Sequence, residues 1–205
     1  KISVLIICIL ASCYMYAQYT VNGSASSNNC HCYTITPDLN TQSGSVWNNI
    51  RINLQQSFDY NFDIYLGCTD ANGADGIVFV MQPISTSVGS TGGGMGFEGI
   101  SPSVGVTIDT WQNQEVNDPS FDHIAIQLNG IINHSDASAN IAGPVTVLDG
   151  QNNIEDCRWH TLRIVWDANI KTLTAYIDGS LRVSVTKDFV NDLFGGNPLV
   201  FWGFT

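Results

Sequence analysis

Positive charge is what this sequence has least of: seven Lys and Arg stand against 18 Asp and Glu, for a formal net charge of −11 at pH 7. No basic cluster interrupts the acidic background, so the phosphates of nucleic acids or of an anionic membrane would be repelled rather than held. Long apolar runs are equally scarce. The one such run, residues 2–10, is too short to cross a bilayer. With Lys1 before it and a small-residue exit at Ala17, it has the form of a secretory signal peptide spanning 1–17. Leu10-Ala11-Ser12-Cys13 offers the alternative of a lipid anchor on Cys13. Helical periodicity is almost missing, and no grouping of Ser, Cys and His suggests a nucleophilic enzyme.

What remains after residue 17 is about 188 residues, enough for one domain that buries on the order of 70% of its unfolded surface. Its acidic surface suits a secreted or cell-surface protein that recruits divalent cations. Four cysteines stay, Cys30, Cys32, Cys68 and Cys157, and an even set in an exported chain favours two disulfides in one of three pairings. That compartment also argues against Cys30-His31-Cys32 as half of a metal site. A Ser/Asn-rich lead covers 18–29, and the domain itself covers 30–205. Within it, period-two alternation or short apolar runs predict strands over 32–36, 45–54, 58–66, 77–81, 145–148, 161–166, 173–177, 181–185 and 199–204. Asp178-Gly179 reads as a two-residue hairpin turn, and 188–194 as one short helix. Many short strands with Gly-rich turns indicate an all-β, antiparallel β-sandwich.

The stretch the chain is organised around is 104–128. Val104, Val106 and Ile108 alternate with Gly105, Thr107 and Asp109, while Ile124, Ile126 and Leu128 alternate with His123, Ala125 and Gln127. Two strands pairing as a hairpin with their apolar sets inward place Thr107, Asp109 and His123 on the opposite face. The loop between them supplies Asp109, Asn113 and Asp118, with the Trp111 carbonyl among them. These are hard oxygen donors of the kind calcium collects, usually about six to eight at a time. The plainer alternative is an acidic, solvated hairpin loop in which Pro119 serves as a turn residue.

Ala74-Asp75-Gly76 before an apolar strand, the glycine loop 92–96, and Asp109-x-Trp111-x-Asn113 followed by Asp118 and His123 resemble, in that order, the L-type (legume-like) lectin domain. The segments 161–167, 172–179 and 200–205 resemble its closing strands, and the variant resembles exported bacterial members. The resemblance implies a concanavalin A-like jelly roll with a calcium site at Asp109, the Trp111 carbonyl, Asn113 and Asp118. It implies a glycan ligand met by the Asp75 carboxylate, an N–H of Gly93 or Gly94, the Asn113 amide and the face of Trp111. It also implies a cis Ala74-Asp75 peptide. Each residue type has a chemical reason: a carboxylate accepts charge-assisted hydroxyl bonds, glycine lets backbone approach a ligand, and an indole covers the C–H side of a sugar.

Two departures stand out. Plant members add a transition metal that needs a glutamate where this chain has Thr107, so the second metal should bind weakly or not at all, and His123 is then either a ligand or only a hydrogen-bonding partner of the loop. The family's last specificity loop would lie beyond Thr205, which suggests that further domains follow. A glycosidase on this sandwich needs a facing pair of carboxylates, about 5 Å or roughly 6.5 to 9.5 Å apart. Laminarinase-like members carry Glu-x-Asp-x-x-Glu, whereas this strand has Thr107, Asp109 and Gln112, so no enzyme is expected. The competing non-enzymatic reading is an adhesin or spacer with structural calcium only. His134 and His160 read as structural or exposed, Asp70 and Asn72 as turn formers, and Trp159 and Trp166 as core.

Overall fold

The computed structural model describes residues 18–29, 32–89 and 92–205. The signal-peptide and Cys13 readings, together with Cys30 and His31, lie outside them. The strands are β1 Tyr19–Gly23, β2 Ser26–Asn29, β3 Cys32–Thr34, β4 Gly44–Asn48, β5 Ile52–Asn53, β6 Phe58–Ile64, β7 Gly76–Gln82, β8 Val104–Asp109, β9 His123–Leu128, β10 Asn140–Thr146, β11 His160–Asp167, β12 Thr172–Ile177, β13 Ser180–Thr186 and β14 Leu199–Phe204. One short helix, α1 (Phe189–Asp192), is capped by Asp188, whose side chain accepts from the Asn191 N–H.

The strands form two main antiparallel sheets. The larger runs β1-β4-β14-β7-β8-β9-β10, with β5 on β14, and the smaller runs β13-β12-β11-β6. Alternation explains the layers. Phe58, Tyr60 and Phe62 of β6 point inward while Asp59, Asn61 and Asp63 face water, and Arg163 of β11 grips Asp59 with two bonds of 2.8 and 2.6 Å. Inward residues of the small sheet, Leu162, Ile164, Trp166 and Leu173, meet Phe79, Val106, Ile108 and Ile126 of the large one in a single core. Asp178 (φ 49°) and Gly179 (φ 81°) make the expected tight turn, with Ile177 opposite Ser180.

Three differences from the sequence reading have physical causes. The 45–54 run is broken into β4 and β5, which both pair with β14. The segment 18–29 is no mere lead, because β1 adds to the edge of the large sheet along β4, and Tyr19 lies 5.9 Å from Trp202. Trp166 is in the core as expected, but Trp159 precedes β11 and is 64% exposed, its ring 5.4 Å from that of Tyr65. Of the three disulfide pairings, the structure contains Cys68–Cys157.

The outer face of the large sheet is also covered. Trp47, Val78, Val80, Met95, Phe97 and Ile100 form a second cluster there, half of it supplied by the segment 92–100 folding over β7 and β8. Thr107, Asp109 and His123 therefore share the face opposite the core, as the hairpin predicts, yet they are buried rather than solvated.

Candidate functional site

Three strand ends converge at one end of the large sheet. In the β8–β9 ladder Asp109 stands opposite His123, and on the β7 side Gly76 stands opposite Asp109. Asp75, which follows Ala74 through a cis peptide and immediately precedes β7, lies at the tip of β8, and its carbonyl accepts from the Thr110 N–H at 3.0 Å.

The 110–122 loop closes on itself through backbone donors. The Trp111 N–H donates to Asp109 Oδ1 at 2.9 Å, and the Asn113 N–H donates to Asp118 Oδ2 at 2.7 Å. A 3-10 turn, Gln114–Val116, and a left-handed Asn117 (φ 64°) carry the chain around between them. Each carboxylate thus spends one oxygen on the loop and turns the other inward. Asp118 Oδ1 and Asn113 Oδ1 are buried with no hydrogen-bond partner. A buried acceptor left unmatched costs about 1–3 kcal/mol, and a hard cation is a partner that would offset that cost for each of them. The residues are of the types calcium takes: Asp109 and Asp118 both lie within 4 Å of His123 Nε2, Asn113 is tied to Asp118 through its N–H, and the Trp111 backbone is anchored to Asp109.

Electrostatics agree with that reading. Burial, with the neighbouring Asp118 and Asp75 carboxylates adding to it, pushes the Asp109 carboxyl up to about 8, and burial also raises Asp118 and Asp75. His123 is driven down to about 4 by burial and by His134 beside it, so it is neutral. Its Nδ1 lies 3.1 Å from the Phe121 carbonyl, which places the ring proton there and leaves the Nε2 lone pair facing inward. That nitrogen is 3.9 Å from Asp109 Oδ2 and 3.8 Å from Asp118 Oδ1.

Sequence reasoning missed one partner. His134, assigned to a polar loop, reaches back so that its Nε2 is 2.8 Å from His123 Nε2 and 3.4 Å from Asp118 Oδ1. Gln127 and Asn140 hold the other side of its ring. Asp118, His123 and His134 offer ligand atoms all within 4.8 Å of one another. Thr107, at the position of the missing glutamate, instead donates to the Ala125 carbonyl at 3.4 Å. A second imidazole therefore joins the site beside His123 and Asp118, and its only signal in the sequence was an unexplained histidine in the loop.

On the outer side, Trp111 is 40% exposed, which leaves one indole face available. The two candidate glycines separate. A Cβ on Gly93 would lie 3.6 Å from both amide atoms of Asn113, so Gly93 faces the site. On Gly94 it would lie 2.3 Å from Glu98 Cβ, so Gly94 packs against its own turn. A shallow cleft of about 160 Å³ opens beside these residues between Asp70, Thr110, Trp111, Gln112, Phe121 and Asp122. His160 is structural as expected, bridging Asp178 Oδ2 at 2.7 Å and Asp156 Oδ1 at 3.0 Å.

Comparison with known proteins gives the same fold. A pesticidal crystal protein of Bacillus thuringiensis is 34% identical over 171 residues, 77% of this chain and 23% of its own length. A galactose-binding lectin of Arachis hypogaea is 43% identical over 68 residues, 30% of this chain and 25% of its own. The chain thus spans about a quarter of each. The solved lectin of Bauhinia forficata in complex with GalNAc superposes with a TM-score of 0.72 at 25% identity, covering 91% of this chain and 84% of that one. The family model described as the legume lectin beta-barrel domain matches residues 12–205, and on that match the chain belongs to the L-type lectin domain family.

Proposed function

We propose that this domain binds carbohydrate in a calcium-dependent way, outside the cell, and does not transform it. The observation that carries the reading is the pair of buried, partnerless oxygens on Asn113 and Asp118, next to Asp109 and within one strand end of Asp75. Calcium, when bound, supplies the positive charge that keeps Asp109 and Asp118 ionised at close quarters. The chain's own residues do the recognition. Asp75, tied to the loop through Thr110, offers carboxylate oxygens to sugar hydroxyls; Gly93 leaves room for a ring beside Asn113; and Trp111 covers an apolar face of it. Asn113 would serve both sides, its buried Oδ1 offered to the metal and its Nδ2 to a hydroxyl. The disulfide supports an oxidising compartment, as expected of a secreted or surface protein.

The relatives' printed ligands, galactose and GalNAc, make hexoses of that type the first probes. A glycan array with and without chelator tests the proposal: specific hits that vanish on chelation are expected. Hits indifferent to the chelator would refute the calcium coupling, and no hits from folded protein would favour the adhesin or spacer alternative.

A further inference from the structure

A second group of acids lies on the far side of the cleft, built by the disulfide. Cys68–Cys157 brings two distant segments to a Cα separation of 4.4 Å, and the Cys157 N–H donates to the Gly67 carbonyl at 3.0 Å. Asp70 follows the first cysteine by two residues and Glu155 precedes the second by two, so the bridge sets their side chains together. Asp122 joins them from the residue before β9. It is held there by its Oδ2, which accepts from the Ile154 N–H at 2.7 Å, and by its own N–H, which donates to the Asn152 carbonyl at 2.9 Å. The three carboxylates present oxygens all within 4.8 Å of one another.

Crowding of acids alone means little on so acidic a chain, but this group is not a solvated face. Glu155 is 5% exposed and Asp122 6%, while Asp70 lies open and marks the side of entry. Glu155 Oε2 is buried without any hydrogen-bond partner. Its other oxygen is pressed against the 67–75 turn: a Cβ on Gly73 would lie 1.8 Å from Oε1 and 2.3 Å from the Thr69 carbonyl. No basic side chain answers this charge. Among the described residues Arg158, Arg163, Lys171, Arg182 and Lys187 pair with Asp156, Asp59, Asp188, Asp149 and Asp192, and Arg51 lies over the Phe201 ring.

We propose that Asp70, Asp122 and Glu155 form a second divalent-cation site, selective for calcium, which fastens the disulfide-linked 67–75 turn to β9 and so steadies Asp75. All of its donors are oxygens, which suits calcium better than a transition ion. Its residues are separate from Asp109, Asn113 and Asp118, so it stands or falls independently of the loop site. In metal-free protein the same crowding is relieved by a proton, since burial, then Asp122 and Asp70, push the Glu155 carboxyl up to about 8.

Calorimetric titration of chelator-stripped full chain with calcium alone tests this. Wild type should bind two equivalents, and Glu155→Gln and Asp118→Asn should each bind one, with none left in the double variant. Asp70→Asn, at an open position where folding is not at stake, should weaken one of the two equivalents by about tenfold, because affinity follows the number of charged ligands. Two equivalents retained in folded Glu155→Gln, or one wild-type equivalent that Asp118→Asn removes and Glu155→Gln does not, would overturn the proposal while sparing the loop site. One equivalent lost in Glu155→Gln and kept in Asp118→Asn would support it and refute the loop site. No calcium bound by wild type would overturn both.

Discussion

Removing calcium should make the stability of this domain fall steeply between pH 5 and pH 8. In the metal-free fold Asp109 titrates near 8 instead of its ordinary 3.8, because burial penalises its charge. The folded state thus binds this proton more tightly than the unfolded chain does, so the group's contribution is complete below the unfolded value and is lost as pH rises through the folded one. Each unit between the two values is worth about 1.4 kcal/mol, and across pH 5 to 8 the loss from Asp109 comes to about 4 kcal/mol. Glu155, also near 8, adds a slope of the same sign. A small domain has only about 5–15 kcal/mol in all, so the effect is large enough to read in urea midpoints. Urea denaturation in chelator at pH 5, 6.5 and 8 should show it, and excess calcium should flatten the curve by keeping both carboxylates ionised at no penalty. Asp109→Asn keeps an acceptor for the Trp111 N–H and carries no proton, so in chelator it should lose a large part of the pH slope, and Asp109→Asn with Glu155→Gln a larger part still, with a remainder from Asp118 and Asp75, which burial also raises. Equal midpoints for metal-free wild type at pH 5 and pH 8 would refute the claim that these buried carboxylates lack a counter-charge.

Asp75→Asn should abolish glycan binding on the array yet leave calcium stoichiometry and melting temperature nearly unchanged, since the structural tie to Thr110 runs through the Asp75 carbonyl and not its side chain. The two loop glycines should part company: Gly94→Ala, whose methyl meets Glu98 Cβ, should destabilise by about 1–3 kcal/mol in denaturant titration. Gly93→Ala, with only ordinary contact to Asn113, should fold normally and lose sugar affinity. The Cys68–Cys157 bridge closes an 89-residue separation, for which chain entropy alone predicts roughly 4–5 kcal/mol of stabilisation, so Cys68→Ala with Cys157→Ala should show a deficit of that order by denaturation.

How much of this was legible in the sequence follows from how far each residue's partners lie. The β8–β9 hairpin could be read because both halves alternate and the turn between them is local, and its register puts Asp109 opposite His123 as the alternation requires. The carboxylate and amide residues of the loop between them could be placed for the same reason. What could not be read is whatever another part of the chain brings. The outer face of the sheet that carries Thr107, Asp109 and His123 is partly covered by Met95 and Phe97, from a glycine loop with no periodicity of its own. His134 enters the site from a polar loop. β14 lies between β4 and β7 although they are far apart in sequence. The Asp70, Asp122 and Glu155 group needs one particular disulfide out of three possible pairings, and spacing does not choose among them.

The shortage of basic residues is the feature that joins composition to these sites. Each described lysine or arginine is engaged away from both acid groups, five of them with Asp side chains and Arg51 on an aromatic ring. The buried carboxylates, by contrast, have only backbone N–H donors and imidazole rings for company. Backbone donors satisfy one oxygen of each group and cannot cancel a full charge, so a proton or an external cation must do it. Calcium takes about six to eight oxygens, so a cluster of carboxylates with water completing the shell is where such a cation would be held. On that argument the net charge of −11 is more than a property of the surface, because part of it lies inside the fold, in two groups that no described basic residue neutralises.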